Sequence, residues 1–183
     1  MDNEQQIFTI SALTENKSGL LTAVTIIFTR RKINIESINV SETEVEGVSR
    51  YTIVIRTGLD TAVQVVKQIN KLIEVLGAFL YTEEEVYYQE IALFKMSTEA
   101  FLNNNTIERL VRNNGARILV IEENHIVIEK TGHRSEIREL FKKLKPHGVL
   151  ESVPAGTSPI SKTKRKTDTF LKELENNKYI IQD

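Results

Sequence analysis

Strands come in hairpin pairs between helices in this chain, and they do so twice. In the first half "IFTISAL" alternates, so Phe8, Ile10 and Ala12 share one face of a strand. Leu20, Leu21, Val24, Ile27 and Phe28 then recur at helical spacing, which predicts an amphipathic helix over residues 19–31 packed on a sheet. "NIESINV" and "VSRYTIVIR" are β-rich and are joined by the polar "SETEVEG", as in a hairpin. A second helix is expected over about 60–73, with Ala62, Val66, Ile69 and Ile73 on its apolar side, before the closing strand "VLGAFLY". The order then repeats. "EIALFKM" is a strand and "NNNTIERLVRNNG" a helix stopped by Asn114 and Gly115, where a left-handed residue ends helices. "ARILVIEENHIVIEK" is a hairpin, "HRSEIRELFKKL" a helix and "HGVLESV" the last strand. This is an α+β pattern, and two ferredoxin-like βαββαβ units fit it better than one doubly wound sheet.

The expected boundaries are residues 6–82 for the first unit and 88–155 for the second, with "EEEVYYQE" (Glu83 to Glu90) as the connection. Residues 156–183 read as a C-terminal extension, partly helical or disordered. Tyr51, Ile53 and Ile55 share one face of their strand while Val54 points the other way. A sheet covered by helices on one side would therefore leave apolar surface on the other, to be closed by another copy, the second half or a different protein.

Composition narrows the chemistry. With 183 residues and 40% hydrophobic side chains the chain can bury one sizeable core or two small ones. The 24 Lys and Arg nearly balance the 25 Asp and Glu, so no global field argues for nucleic acid or a membrane surface. Without cysteine there are no disulfides, thiolate metal sites or cysteine nucleophiles. The polar start "MDNEQQ" and the lack of any apolar run near ~18 residues predict a cytoplasmic protein. His125, His133 and His147 lie in different elements without metal-ligand spacing. No nucleophile elbow, P-loop or dinucleotide fingerprint occurs, so no catalytic residue, metal or cofactor is assigned to this chain. Glu83 to Glu85 and the basic run Lys162 to Lys166 read as solvated segments.

What remains is a polar loop, "TENKSGLL", at the start of the first helix. Unpaired N–H groups and the positive end of the helix dipole favour an anion there, such as an amino-acid carboxylate. Gly19 lets a ligand approach the backbone, and the Asn16 amide can both donate and accept. A plainer role for Asn16 or Ser18 is to cap the helix, and the two roles are compatible.

The segment from "LTENKSGLL" through "NIES" to the strand beginning "SR" resembles the N-terminal ACT domain of the acetolactate synthase (acetohydroxyacid synthase) small subunit family. The resemblance runs without gaps through about Leu80, and the second half is similar to the family's C-terminal domain through roughly Val153. It implies a non-catalytic regulatory subunit that binds a branched-chain amino acid, typically valine, between paired ACT domains of a homodimer. The output would be activation and feedback inhibition of a separate catalytic (large) subunit, which would carry the thiamine diphosphate, magnesium and FAD. The implied effector contacts are Asn16, Ser18, Gly19, Leu20, Asn34 and Ile35, with Asn34 reaching the ligand across the interface and Gln64 near the site or its coupling.

Lys32 departs from the family, which usually has glycine there. A lysine tolerates a left-handed cap poorly, so the first helix is expected to end differently and to shift Asn34. Leu20 is larger than the usual residue and is expected to narrow the pocket. The competing readings are a free-standing ACT amino-acid sensor and an RNA-binding ferredoxin-like protein, though the aromatic motif such RNA-binding sheets need is missing.

Overall fold

The computed structural model describes residues 5–103 and 105–162. These form two compact units, one built on residues 5–87 with 159–162, the other on Tyr88–Ser158. The expected extension beyond residue 162, with most of the basic run ending at Lys166, lies outside the described residues.

The first unit comprises β1 (Gln6–Glu15), α1 (Leu20–Arg30), β2 (Ile35–Glu42), β3 (Val48–Thr57), α2 (Leu59–Ile69) and β4 (Val75–Thr82). Its antiparallel sheet has the order β2-β3-β1-β4, so the hairpin β2–β3 lies on one side of β1 and β4 returns to the other. This is the ferredoxin-like βαββαβ arrangement expected from the sequence. Alternation along β1 sets Phe8, Ile10 and Ala12 opposite Ile55, Ile53 and Tyr51 of β3. Leu20, Val24 and Phe28 of α1 and Ala62, Val65 and Ile69 of α2 close over them into one buried cluster.

Two expectations need correction here. The second helix stops at Ile69, and Ile73, expected on its packed face, is 90% exposed. The cause is Asn70, whose Oδ1 accepts from the Ala78 N–H at 2.8 Å and whose Nδ2 donates to the Ala78 carbonyl at 3.1 Å. That bidentate contact turns the chain out of the helix and covers part of the edge strand β4.

Secondly, α1 ends in the ordinary way despite Lys32. Lys32 adopts φ 55°, the left-handed region. Its N–H donates to Thr29 O at 3.0 Å and that of Ile33 to Phe28 O at 3.0 Å, the paired bonds of a Schellman stop. The helix Asn105–Asn113 of the second unit ends with the same pair of bonds around Gly115 at φ 59°. The bonds and the packing of Ile33 and Ile35 on the core override the lysine's preference. A left-handed non-glycine residue costs about 1–2 kcal/mol, of which glycine's extra chain entropy takes back about 0.5–1. Lys32→Gly is therefore expected to raise stability by about 0.5–1 kcal/mol in urea unfolding, with an unchanged denaturant slope.

The second unit contains β5 (Val86–Ser97), α3 (Thr98–Leu102), α4 (Asn105–Asn113), β6 (Arg117–Ile121), β7 (His125–Gly132), α5 (Arg134–Leu144) and β8 (Val149–Ser161). Its sheet order, β6-β7-β5-β8, repeats that of the first, with the short α3 added ahead of α4. Ala92, Phe94, Met96, Ile126 and Ile128 face Ile107, Val111, Ile137, Leu140 and Leu144 in its core. The connection is shorter than the composition suggested: only Glu83–Glu85 form a 3-10 turn, and β5 already begins at Val86. β8 runs past residue 155 to Ser161, and its two prolines, Pro154 and Pro159, suit the edge position it holds. No helix among the described residues is long and apolar enough to cross a membrane.

Candidate functional site

The loop after β1 is held by backbone bonds from Glu15 N–H to Glu74 O, and from Asn16 N–H to Gly47 O, both 2.9 Å. Gly19 then starts α1 in a left-handed conformation, φ 85° and ψ −15°. A Cβ built at Gly19 would have no atom within 4 Å, so its backbone angle, and not crowding, is what calls for glycine. No side chain caps α1. The capping role open to Asn16 or Ser18 is therefore not taken up, and no side-chain bond to the N-cap competes with a ligand at the helix start.

Asn16 is engaged elsewhere: its Nδ2 donates to Glu42 Oε1 of β2 at 3.0 Å. The amide thus already holds a carboxylate, the chemical group an amino-acid effector would present to it. Lys17 turns back onto Glu15, Nζ to Oε2 2.5 Å. The hydrogen bond and charge of that carboxylate raise the lysine above its ordinary range. Leu20, expected to narrow a pocket, is 4% exposed and belongs to the core under α1. Next to the loop, at a shift in the β1–β4 register, Thr14 is fully buried with no hydrogen-bond partner for Oγ1.

Asn34 lies at the other end of the sheet. It is exposed, it follows the Lys32 turn, and the next residue, half-buried Ile35, pairs with Ile55 of β3. Ile55 in turn faces Phe8, whereas the loop 16–19 follows Glu15. Seven residue steps along β1, from Phe8 to Glu15, separate these levels, about 24 Å of extended strand. Within one chain Asn16, Ser18 and Gly19 are thus brought together, and Asn34 and Ile35 are not joined to them.

Gln64 is tied to the Asn34 end. Arg31, the C-cap residue of α1, donates from Nη1 to Gln64 Oε1 at 3.1 Å and from Nε to Gln68 Oε1 at 3.0 Å. Sequence reasoning singled out neither Arg31 nor Glu42. Both act through polar contacts between residues 26 to 37 positions apart, which leave no periodic trace.

Comparison with known proteins identifies the family. The model of the AHAS small subunit-like ACT domain matches residues 10–77, and that of the small subunit of acetolactate synthase matches residues 89–163. The acetolactate synthase small subunit of Bacillus subtilis (strain 168) is 34% identical over 159 residues, 86% of this chain and 91% of that protein. The probable acetolactate synthase small subunit of Archaeoglobus fulgidus is 34% identical over 148 residues, 81% of this chain and 92% of that one. Among solved structures, the acetolactate synthase small subunit from Thermotoga maritima superimposes with a TM-score of 0.78 at 29% identity, covering 87% of this chain and 99% of that one. Both halves of the chain, the first of them an ACT domain, therefore place it in the family of acetolactate synthase small subunits.

Proposed function

We propose that this chain is a non-catalytic regulatory subunit. It activates a separate acetolactate synthase catalytic subunit and makes that enzyme responsive to a branched-chain amino acid, valine first among them. One observation carries the reading of the site: Asn16 with Gly19, and Asn34, stand at opposite ends of one sheet, each group exposed beside a left-handed residue. Two copies paired about a two-fold axis bring the loop of one to Asn34 of the other, and the converse, so the symmetry that completes one site completes two. The effector carboxylate takes the open N–H groups at the start of α1 and displaces Glu42 from the Asn16 amide, while Asn34 closes the site from the neighbouring copy. Membership of a small-subunit family supports the partner, a large subunit that supplies the thiamine diphosphate, magnesium and FAD.

The test is reconstitution. Rigorously purified chain given pyruvate is expected to form no acetolactate. Added to the catalytic subunit it should raise the rate, and valine should reverse the gain. Turnover by the chain alone would overturn the non-catalytic assignment. A stable monomer in light scattering at micromolar concentration, with and without valine, would overturn the paired site.

A further inference from the structure

We propose that Arg31 is a positioning residue of this site: its guanidinium clamps the Asn34 turn to α2, so that the turn and α2 move as one body. The inference rests on the reading of Asn34 as an effector contact and adds to it the element through which occupancy is felt. Gln64 and Gln68 are one helical turn apart and present their amide oxygens side by side, and the planar arginine fork meets both, at 3.1 and 3.0 Å. A lysine in the same place offers a single point charge and cannot span the pair.

The backbone of Arg31 belongs to the same unit. Its N–H closes on Phe28 O at 3.1 Å, and only Lys32 and Ile33 stand between it and Asn34, each with its N–H committed to the last turn of α1. Lys32 holds its left-handed conformation against its own preference, so the turn has less intrinsic stability than a glycine turn and depends more on what holds its neighbours. The clamp is that hold. It also gives Gln64 a physical role: although exposed on α2 and distant from Asn34 in sequence, Gln64 is joined to the Asn34 turn through a single side chain.

The experiment uses the full chain in three forms besides wild type: Arg31→Met, the pair Gln64→Met with Gln68→Met, and all three substitutions together. Amide hydrogen exchange of Ile33 is followed without ligand, and valine affinity is measured by calorimetry. Losing the clamp is expected to speed Ile33 exchange and weaken valine binding, each about fivefold, the equivalent of one ordinary hydrogen bond. Because one contact is removed from either side, the triple variant should lose no more than Arg31→Met or the glutamine pair alone. Wild-type exchange at Ile33 in both Arg31→Met and the glutamine variant would overturn the clamp whatever valine does. Additive losses of affinity would overturn it in favour of direct contact between Arg31 and the ligand. A wild-type chain that binds none of valine, leucine and isoleucine would overturn the effector reading, and Ile33 exchange would still decide the clamp. If Arg31→Met does not fold, the glutamine pair tests the same bonds from the other helix.

Discussion

Asn34→Ala is expected to cut the stabilisation that valine should give the wild-type chain, and to weaken valine inhibition of the reconstituted enzyme in step. Asn34 is exposed and follows a turn whose hydrogen bonds come from the backbones of Lys32 and Ile33, so its truncation empties no packed position. The ligand effect is therefore separable from the fold. A ligand at one hundred times its dissociation constant stabilises the folded state by roughly 2.7 kcal/mol per site, a melting shift of about 5–10 °C for a chain of this size. Withdrawing the Asn34 amide leaves a charged group of the effector unpaired in a closed interface, at about 1–3 kcal/mol or more. That is roughly five- to 150-fold in affinity, and at the same valine concentration it removes between about a third and about nine tenths of the stabilisation. Wild-type valine affinity in Asn34→Ala would remove Asn34 from the site.

The expectation depends on which parts of the molecule were legible beforehand. The strands and helices were, because Phe8, Ile10 and Ala12 alternate and Leu20, Val24 and Phe28 recur at helical steps, and those periods are what a sheet with one helical layer imposes. Gly19 was also legible, since its residue type announces the left-handed angle it takes. The end of α2 was not, because it is decided by one asparagine docking on Ala78, a contact made only once β4 is in the sheet. Lys32 shows the converse: local preference argued for a different helix end, and the surrounding bonds prevailed. The charged stretch before β5 looked like a linker because composition says nothing of partners. Tyr87 and Val86 are strand formers, and Glu90 answers an arginine 44 positions away. In the candidate site, residue type pointed to Asn16 and Gly19 and the family resemblance to Asn34, while the Glu42 and Arg31 contacts at two of these places exist only in three dimensions.

The Glu90 pair gives the second large effect. Glu90 is 5% exposed on the helix-facing side of β5, and Arg134 Nε, on the first residue of α5, donates to its Oε1 at 2.9 Å. Opposite Glu90 stands Gly132, where a Cβ would come within 2.3 Å of Glu136 Oε2. Buried Lys130 reaches the same point, its Nζ 3.3 Å from that Cβ, so the surroundings have little room to relax when the arginine is removed. Removing one member of a buried ion pair costs about 3–5 kcal/mol. The Arg134 side chain keeps 34% of its exposure, so water offsets part of the loss and about 2 kcal/mol is the expected cost of Arg134→Met. For a unit of roughly 70 residues that lowers the melting temperature by about 8–16 °C. Glu90→Leu combined with Arg134→Met should recover part of it, because both charges of the pair are then gone while the buried Lys130 ammonium remains nearby. A single variant that melts within about 2 °C of wild type would mean that the carboxylate finds water or another protein partner when the arginine is gone. A double variant as unstable as the single one would mean that the pair holds β5 to α5 by geometry, which two apolar side chains cannot replace.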